Sequence, residues 1–323
     1  MSFSRNAKLE IMAKPITSDC CGLSFLCGLF FASGNVTIEN NIVKSLTILT
    51  DNQELYTYVN NIFHTLYGEF AEITITDDFK INKTTYYKIS FPIQHATRLL
   101  LDIGYISLDN NKKLVKNSTI YKNNILEECC KKSFVKGAFV GCGTSNIKIS
   151  QELTEKTNSG YHIEFSSHNL EFLETISEIL LEYSIVAKIV KRKNNYVLYV
   201  KEASQVSDIL AMIGAFESVL ELNNEMAKRE IRNKINRQNN CDTANISKIV
   251  DASIRQIKAI KQIQELFGLE NLPDDLQNVA LLRLANPEES LDNLLKLSKL
   301  PYTKSGLNYR YKKLEKIAEK IKN

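Results

Sequence analysis

The chain has 323 residues, 44% apolar and 24% charged, the balance of an ordinary globular protein long enough for two or three compact units. No apolar run approaches the roughly 18 residues of a membrane span, the opening MSFSRNAKLEIMAK lacks the zones of a secretory signal, and seven cysteines without scaffold spacing suit a reducing compartment, so a cytoplasmic location without membrane partners is expected. The net charge of +4 is uneven: residues 1–225 hold 22 Lys and Arg against 25 Asp and Glu, and residues 226–323 hold 19 against 12, which points to a polyanion partner for the carboxyl-terminal third.

The first legible element is CCGLSFLCGLFFASGNV, residues 20–36, an apolar helix closed by Gly34 with two small residues, Gly28 and Ala32, four apart. Strand-like runs at 36–38 and 45–50 follow. The segment DNQELYTYVNNIFHTLYG reads as a helix with Asp51 or Asn52 as N-cap and Gly68 as its stop. Two more strand-like runs, 72–76 and 85–91, lead to a helix near 94–103.

The pattern then recurs. A shift of 109 residues lays residues 20–36 on CCKKSFVKGAFVGCGTS, residues 129–145, with seven of the 17 positions identical. After this second copy come an expected strand at 147–149 and the alternating YHIEFSS. A helix follows whose apolar residues Phe172, Leu173, Ile176, Ile179 and Leu180 fall at helical spacing. The runs AKIVKR and YVLYVK flank an NN turn signal, and a helix from about Ser204 closes the unit. Each half reads helix–strand–strand–helix–strand–strand–helix, and two such halves make one pseudo-twofold α+β domain. If the equivalent helices pack along that axis, Gly28 and Ala32 face Gly137 and Gly141, since small residues let backbones approach.

The remaining sequence is helical. A long helix carries a basic stretch, Lys228 to Arg237, with Arg232 and Arg237 among its cations. A break is expected at NNCDTAN, residues 239–245, before a further helix that Gly268 stops. LPDDLQNVALLRLANP opens with Pro273 and two acids, as a helix start should. A short helix follows, with Ser290 as N-cap, then a tight turn at KLP, 299–301. The last helix carries a buried stripe of Leu307, Tyr311, Leu314, Ala318 and Ile321. The expected boundaries are 1–125 and 126–220 for the repeats, 221–268 for a helical linker and 269–323 for an all-α helix-turn-helix domain.

A short helix, a tight turn and a longer helix with polar and basic residues at its start fit a reader of double-stranded DNA. Asn308 is expected to read a base edge, that of adenine. Lys304, Ser305, Arg310, Lys312 and Lys313 suit phosphates or the groove flanks, and Tyr309 shares their side of the helix. Arg232 and Arg237 are further candidate DNA contacts. Lys148, Lys188, Lys191, Arg192 and Lys193 could add a local basic saddle to an otherwise acidic repeat domain. Cys20, Cys21, Cys129 and Cys130 invite a metal reading. Adjacent helical residues, however, point about 100° apart, and structural zinc usually takes ligands two to four residues apart. The four are therefore read as small buried core residues, with no metal or cofactor expected.

LCGLFFASG and VKGAFVGCG resemble the two LAGLIDADG helices of single-chain homing endonucleases. That resemblance implies a pair of metal-binding acids near the helix ends. The corresponding positions here are Ser33 and Cys142, neither of which replaces a carboxylate for a hard divalent cation, so no catalytic residue and no enzyme activity is expected. The domain order, together with GYHIEFSSHN, RNKINRQNNCDTAN, LPDDLQNVALLRLANPEESL and TKSGLNYRYKKLEKIAE, resembles the bacterial WhiA family over the whole chain. The resemblance implies a nucleoid-associated, sequence-specific DNA-binding transcription regulator linked to cell division, chromosome segregation and sporulation. It also implies other transcription proteins as candidate partners, and a helix-turn-helix similar to the one in sigma factors. The alternatives are a working metal-dependent endonuclease and a scaffold or ligand-sensing protein.

Overall fold

In the computed structural model, which describes residues 2–76, 85–150, 160–298 and 301–322, the two glycine-bearing segments are both 15-residue helices. After α1 (Phe3–Met12), the first repeat runs α2 (Asp19–Ser33), β1 (Gly34–Glu39), β2 (Ile42–Thr50), α3 (Gln53–Tyr67), β3 (Glu72–Thr76), β4 (Tyr86–Ser90) and α4 (Ile93–Asp102). Asn52 caps α3, its side chain accepting the Glu54 N–H at 3.1 Å, and Gly68 ends it at φ +74°, a conformation glycine adopts without cost. A small hairpin, β5 (Ile106–Leu108) with β6 (Leu114–Lys116), bridges to the second repeat. There the order is α5 (Glu128–Cys142), β7 (Gly143–Ser145), β8 (Ile163–Ser167), α6 (Leu170–Glu182), β9 (Lys188–Arg192), β10 (Asn195–Val200) and α7 (Ala203–Met212).

The repeats agree in topology as well as sequence. Both sheets are antiparallel with equivalent strand orders, β1-β2-β4-β3 and β7-β8-β10-β9. The strand expected at 147–149 lies instead at Gly143–Ser145, where it pairs with β8 as Gly143↔Phe165 through Ser145↔Ile163. Its Gly-Thr-Ser sequence carries no alternation to reveal it.

Helices α2 and α5 form the centre of the first unit. Phe25, Leu26, Leu29 and Phe30 on one, and Phe134, Val135, Ala138 and Phe139 on the other, are almost wholly buried. The glycines make this packing possible. A Cβ on Gly28 would stand 2.1 Å from the Phe134 carbonyl oxygen, and one on Gly137 would stand 2.0 Å from that of Phe25. Gly141 lies against Ala32 and Ser33. The pairing of small residues expected from the repeat is therefore present on both sides of the axis. The four amino-terminal cysteines depart from expectation: Cys130 is buried, Cys21 is half-buried, and Cys20 and Cys129 are exposed. They sit in the first turns of their helices, beyond the crossing that the phenylalanines close.

Two compact units divide the chain, Met1–Arg229 and Glu230–Asn323. The long helix α8, Phe216–Leu266, is continuous, so the break expected at 239–245 is absent. Asn, Asp and Thr cost a helix only a few tenths of a kcal/mol each, and that stretch holds neither Gly nor Pro. The second unit has its own core, formed by Ala259, Ile260 and Ile263 of α8 with α9 (Asp274–Ala285), α10 (Leu291–Ser298) and α11 (Lys304–Lys322).

Candidate nucleic-acid interface

The second unit presents α11 through a set of local ties. Ser290 caps α10 by accepting the Asn293 N–H at 3.2 Å, and Thr303 caps α11 by accepting the Gly306 N–H at 3.1 Å. The turn expected at 299–301 lies largely outside the described residues. Leu307, Tyr311, Leu314 and Ala318 are buried as a stripe, with Ile321 packed at its end. The Tyr311 hydroxyl donates to the Val279 carbonyl at 3.2 Å. Burial pushes that hydroxyl up to about 12, so it remains a neutral donor at physiological pH. Arg283 is only 2% exposed. Its Nε donates to Gln256 Oε1 at 3.0 Å and one Nη donates to the Glu289 carbonyl at 2.6 Å, tying α8 and α9 to the start of α10.

With that stripe inward, the helical rotation of about 100° per residue puts Ser305, Tyr309, Lys312 and Lys316 within about 60° of one another on the opposite side. All four are exposed, and Asn308 and Lys313 flank them. Lys304 is exposed but paired with Asp292 of α10. Arg310 is engaged differently. Its Nε meets Asp275 Oδ2 at 3.1 Å, its guanidinium stands 3.7 Å from the Tyr302 ring centroid, and Nη1 donates to the Gly306 carbonyl at 3.2 Å. These contacts fasten α11 to the start of α9. Arg237 is exposed and Arg232 half-buried on α8; Arg237 precedes the buried Ser253 by about 24 Å along the helix axis. Lys316 joins the open side of α11, and its spacing of four from Lys312 is the sequence signal that marks it.

In the first unit, the basic saddle residues Lys188, Lys191 and Arg192 lie along β9. Arg192 pairs with Glu164 at 3.2 Å, and Lys191 lies over the Tyr196 ring at 5.8 Å. Lys193 occupies the following turn at φ +54°, and the Lys148 carbonyl accepts from Arg229.

Ser33 and Cys142 are the last residues of α2 and α5. Ser33 Oγ donates back to the Leu29 carbonyl at 3.2 Å. Desolvation pushes the half-buried Cys142 thiol up to about 12, opposed by the nearby Lys8 ammonium. Both positions are thus uncharged at neutral pH, with a cation beside one of them. Asp19 begins α2, about 21 Å away from Ser33 along the axis, and so does not reach this end. Among the described residues, the one group of three or more His, Cys, Asp or Glu placed to share an ion is Cys20, Cys21, Cys129 and Cys130, at the other end of the helix pair.

This architecture defines a class: a pseudo-symmetric LAGLIDADG-type repeat body followed by a helix-turn-helix unit. Family models match in the same order. The WhiA LAGLIDADG-like domain covers residues 23–90 and 131–232, and the WhiA C-terminal helix-turn-helix domain covers residues 235–318. A Ruminiclostridium cellulolyticum protein named "Probable cell division protein WhiA" is 36% identical over 100% of this chain and 98% of its own length. A Clostridium acetobutylicum protein of the same name is 34% identical over 100% and 99%. The crystal structure of full-length DUF199/WhiA from Thermatoga maritima is similar over 99% of both chains, with a TM-score of 0.56 at 25% identity. The chain belongs to the WhiA family.

Proposed function

We propose that this chain is a sequence-specific DNA-binding transcription regulator that acts in cell division, a nucleoid-associated protein whose repeat body performs no catalysis. The observation that carries the reading is the open side of α11. It groups the exposed Ser305, Tyr309, Lys312 and Lys316 opposite the buried Leu307–Tyr311–Leu314 stripe, with the half-buried Asn308 at its edge, on the helix that a helix-turn-helix inserts into the major groove. Asn308 reads a base edge, and Lys312, Lys313 and Lys316 hold phosphates. Arg310 is a positioning residue, because its guanidinium is already shared between Asp275 and Tyr302. Lys304, and Arg232 and Arg237 on α8, are secondary backbone contacts. The cell-division role is supported by the names of the full-length relatives, and chromosome segregation and sporulation are the settings in which it is sought.

The absence of nuclease chemistry follows from the residues at the carboxyl ends of α2 and α5. A serine hydroxyl and a thiol held neutral supply no anionic oxygen for Mg²⁺, and Lys8 beside Cys142 opposes a second cation. Two experiments test the reading. Genome-wide mapping of sites bound by the full chain should give discrete peaks sharing a motif; uniform coverage would count against sequence reading. Supercoiled plasmid incubated with the full chain and Mg²⁺ or Mn²⁺ should stay intact. Metal-dependent nicking that is lost on changing Ser33 or Cys142 would replace the regulator reading with the nuclease one.

A further inference from the structure

The amino ends of α2 and α5 hold a feature that DNA recognition does not use. Cys20 and Cys21 occupy the first turn of α2, and Cys129 and Cys130 occupy the same positions in α5. The four Sγ atoms all lie within 4.8 Å of one another, with Cys129 and Cys130 at 4.0 Å. A single zinc ion bound by four thiolates at about 2.3 Å sets its sulfurs about 3.8 Å apart along every edge of the tetrahedron. The thiols thus stand within roughly an ångström of that arrangement before any ion draws them in. An iron–sulfur cluster places several irons and sulfides between its cysteines and needs a wider cage.

Adjacent cysteines are unusual for zinc when one loop must wrap the ion. Here each helix contributes one edge of the tetrahedron, and the pseudo-twofold axis brings the two edges together, so chelation by a loop is not required. Each pair lies at the positive end of a 15-residue helix dipole, which favours thiolates. The turn that holds Cys20 is itself fixed: Ser24 Oγ donates to the Cys20 carbonyl at 2.7 Å, and the Ser18 hydroxyl lies 3.5 Å from Cys20 Sγ, the kind of outer support that orients metal ligands.

We propose that Cys20, Cys21, Cys129 and Cys130 form a closed tetrahedral site for one Zn²⁺ that clamps the amino ends of the two central helices. Four protein ligands leave no open coordination position, so the ion is structural. Binding releases the four thiol protons to solvent and leaves a tetrathiolate complex of net charge −2. The site lies about 20 Å along the helices from Ser33 and Cys142. A zinc here therefore has no part in phosphodiester chemistry. With Cys20 and Cys129 exposed, the ion is open to exchange with chelators.

The test uses the full chain, purified in reducing buffer without chelator or affinity metal, with elemental analysis by mass spectrometry. One zinc per chain is expected, with at least a tenfold loss of metal in the Cys21→Ser/Cys129→Ser variant. A second measurement does not depend on the folding of that variant: the unsubstituted chain is stripped and reloaded with Co²⁺, which should give the intense visible bands of tetrahedral thiolate coordination. Three results overturn the proposal: substoichiometric metal after equilibration with Zn²⁺ while helix content is native, an iron–sulfur absorption spectrum, or an intact mass lowered by disulfide formation in chain isolated under inert gas.

Discussion

The helix pair α2 and α5 and the single helix α11 carry opposite kinds of residue on the sides that matter. Where α2 and α5 meet, the positions are glycine and alanine, and the carboxyl ends close on a serine and a neutral thiol. Where α11 is open, the positions are serine, tyrosine and lysine, with an asparagine at the edge. One surface is defined by what has been reduced until two backbones touch, the other by what extends outward toward a polyanion. The contrast separates inheritance of a fold from inheritance of its chemistry. Packing demands at Gly28 and Gly137 preserve the crossing of the helices whether or not acids follow it, and in the proposed function DNA recognition is assigned to the exposed polar side of α11.

The largest test of that contrast is steric. Gly137→Val drives two methyls into the Phe25 carbonyl and should cost about 3 kcal/mol or more of stability in denaturant unfolding, the upper range for overpacking. Gly28→Val should cost about the same if the axis is as symmetric as the 2.0 and 2.1 Å approaches imply. A tolerated valine at either position would break the comparison. Next in size, Asn308→Ala should remove about 1–3 kcal/mol of preference for the correct base at one position of the bound sequence. Binding to unrelated duplexes should be unchanged in an anisotropy titration. Arg310→Ala should lower stability by about 1 kcal/mol through loss of the Asp275 pair and the Tyr302 stack and leave the salt dependence of DNA binding as it was. A shallower salt slope would instead assign Arg310 to phosphate. Lys312→Ala and Lys316→Ala should each weaken binding to every sequence alike and reduce the slope of log K against log salt by about one.

The smallest expected effect is an absence of reaction. With the Cys142 thiol pushed up to about 12, its thiolate fraction at pH 8 is on the order of 10⁻⁴, against a substantial fraction for an ordinary cysteine. Iodoacetamide should therefore label Cys142 far more slowly in the native chain than after unfolding, by site-resolved mass spectrometry. Labelling that rises with pH as for a free thiol would show the position to be solvated and open to a cation.

The repeat was legible because its demands are local in kind and repeated in place: the same cysteines, phenylalanines and glycines 109 residues apart. The inward stripe of α11 was legible from helical spacing, and the caps at Asn52 and Ser290 from residue type. Other features depended on partners that periodicity does not name. β7 exists because β8 lies beside it, not because Gly-Thr-Ser favours a strand. α8 continues through 239–245 because weak propensity is not a stop signal. Arg310 is drawn aside by Asp275, a partner far back in the chain. The cysteines came closest to being read. Their recurrence at equivalent positions was visible, but their exposure and mutual approach follow from how two helix ends converge, and no single helix encodes that.

The most direct measurement compares the full chain with a Ser305→Ala/Asn308→Ala/Tyr309→Ala variant on two duplexes, one carrying the motif recovered from genome mapping and one with that motif scrambled, at fixed salt. The unsubstituted chain should prefer the motif by about a thousandfold or more, and the variant should bind both duplexes with the weaker affinity while unfolding at the same denaturant concentration. A variant that folds and still distinguishes the duplexes would place sequence reading elsewhere in the molecule and contradict the account.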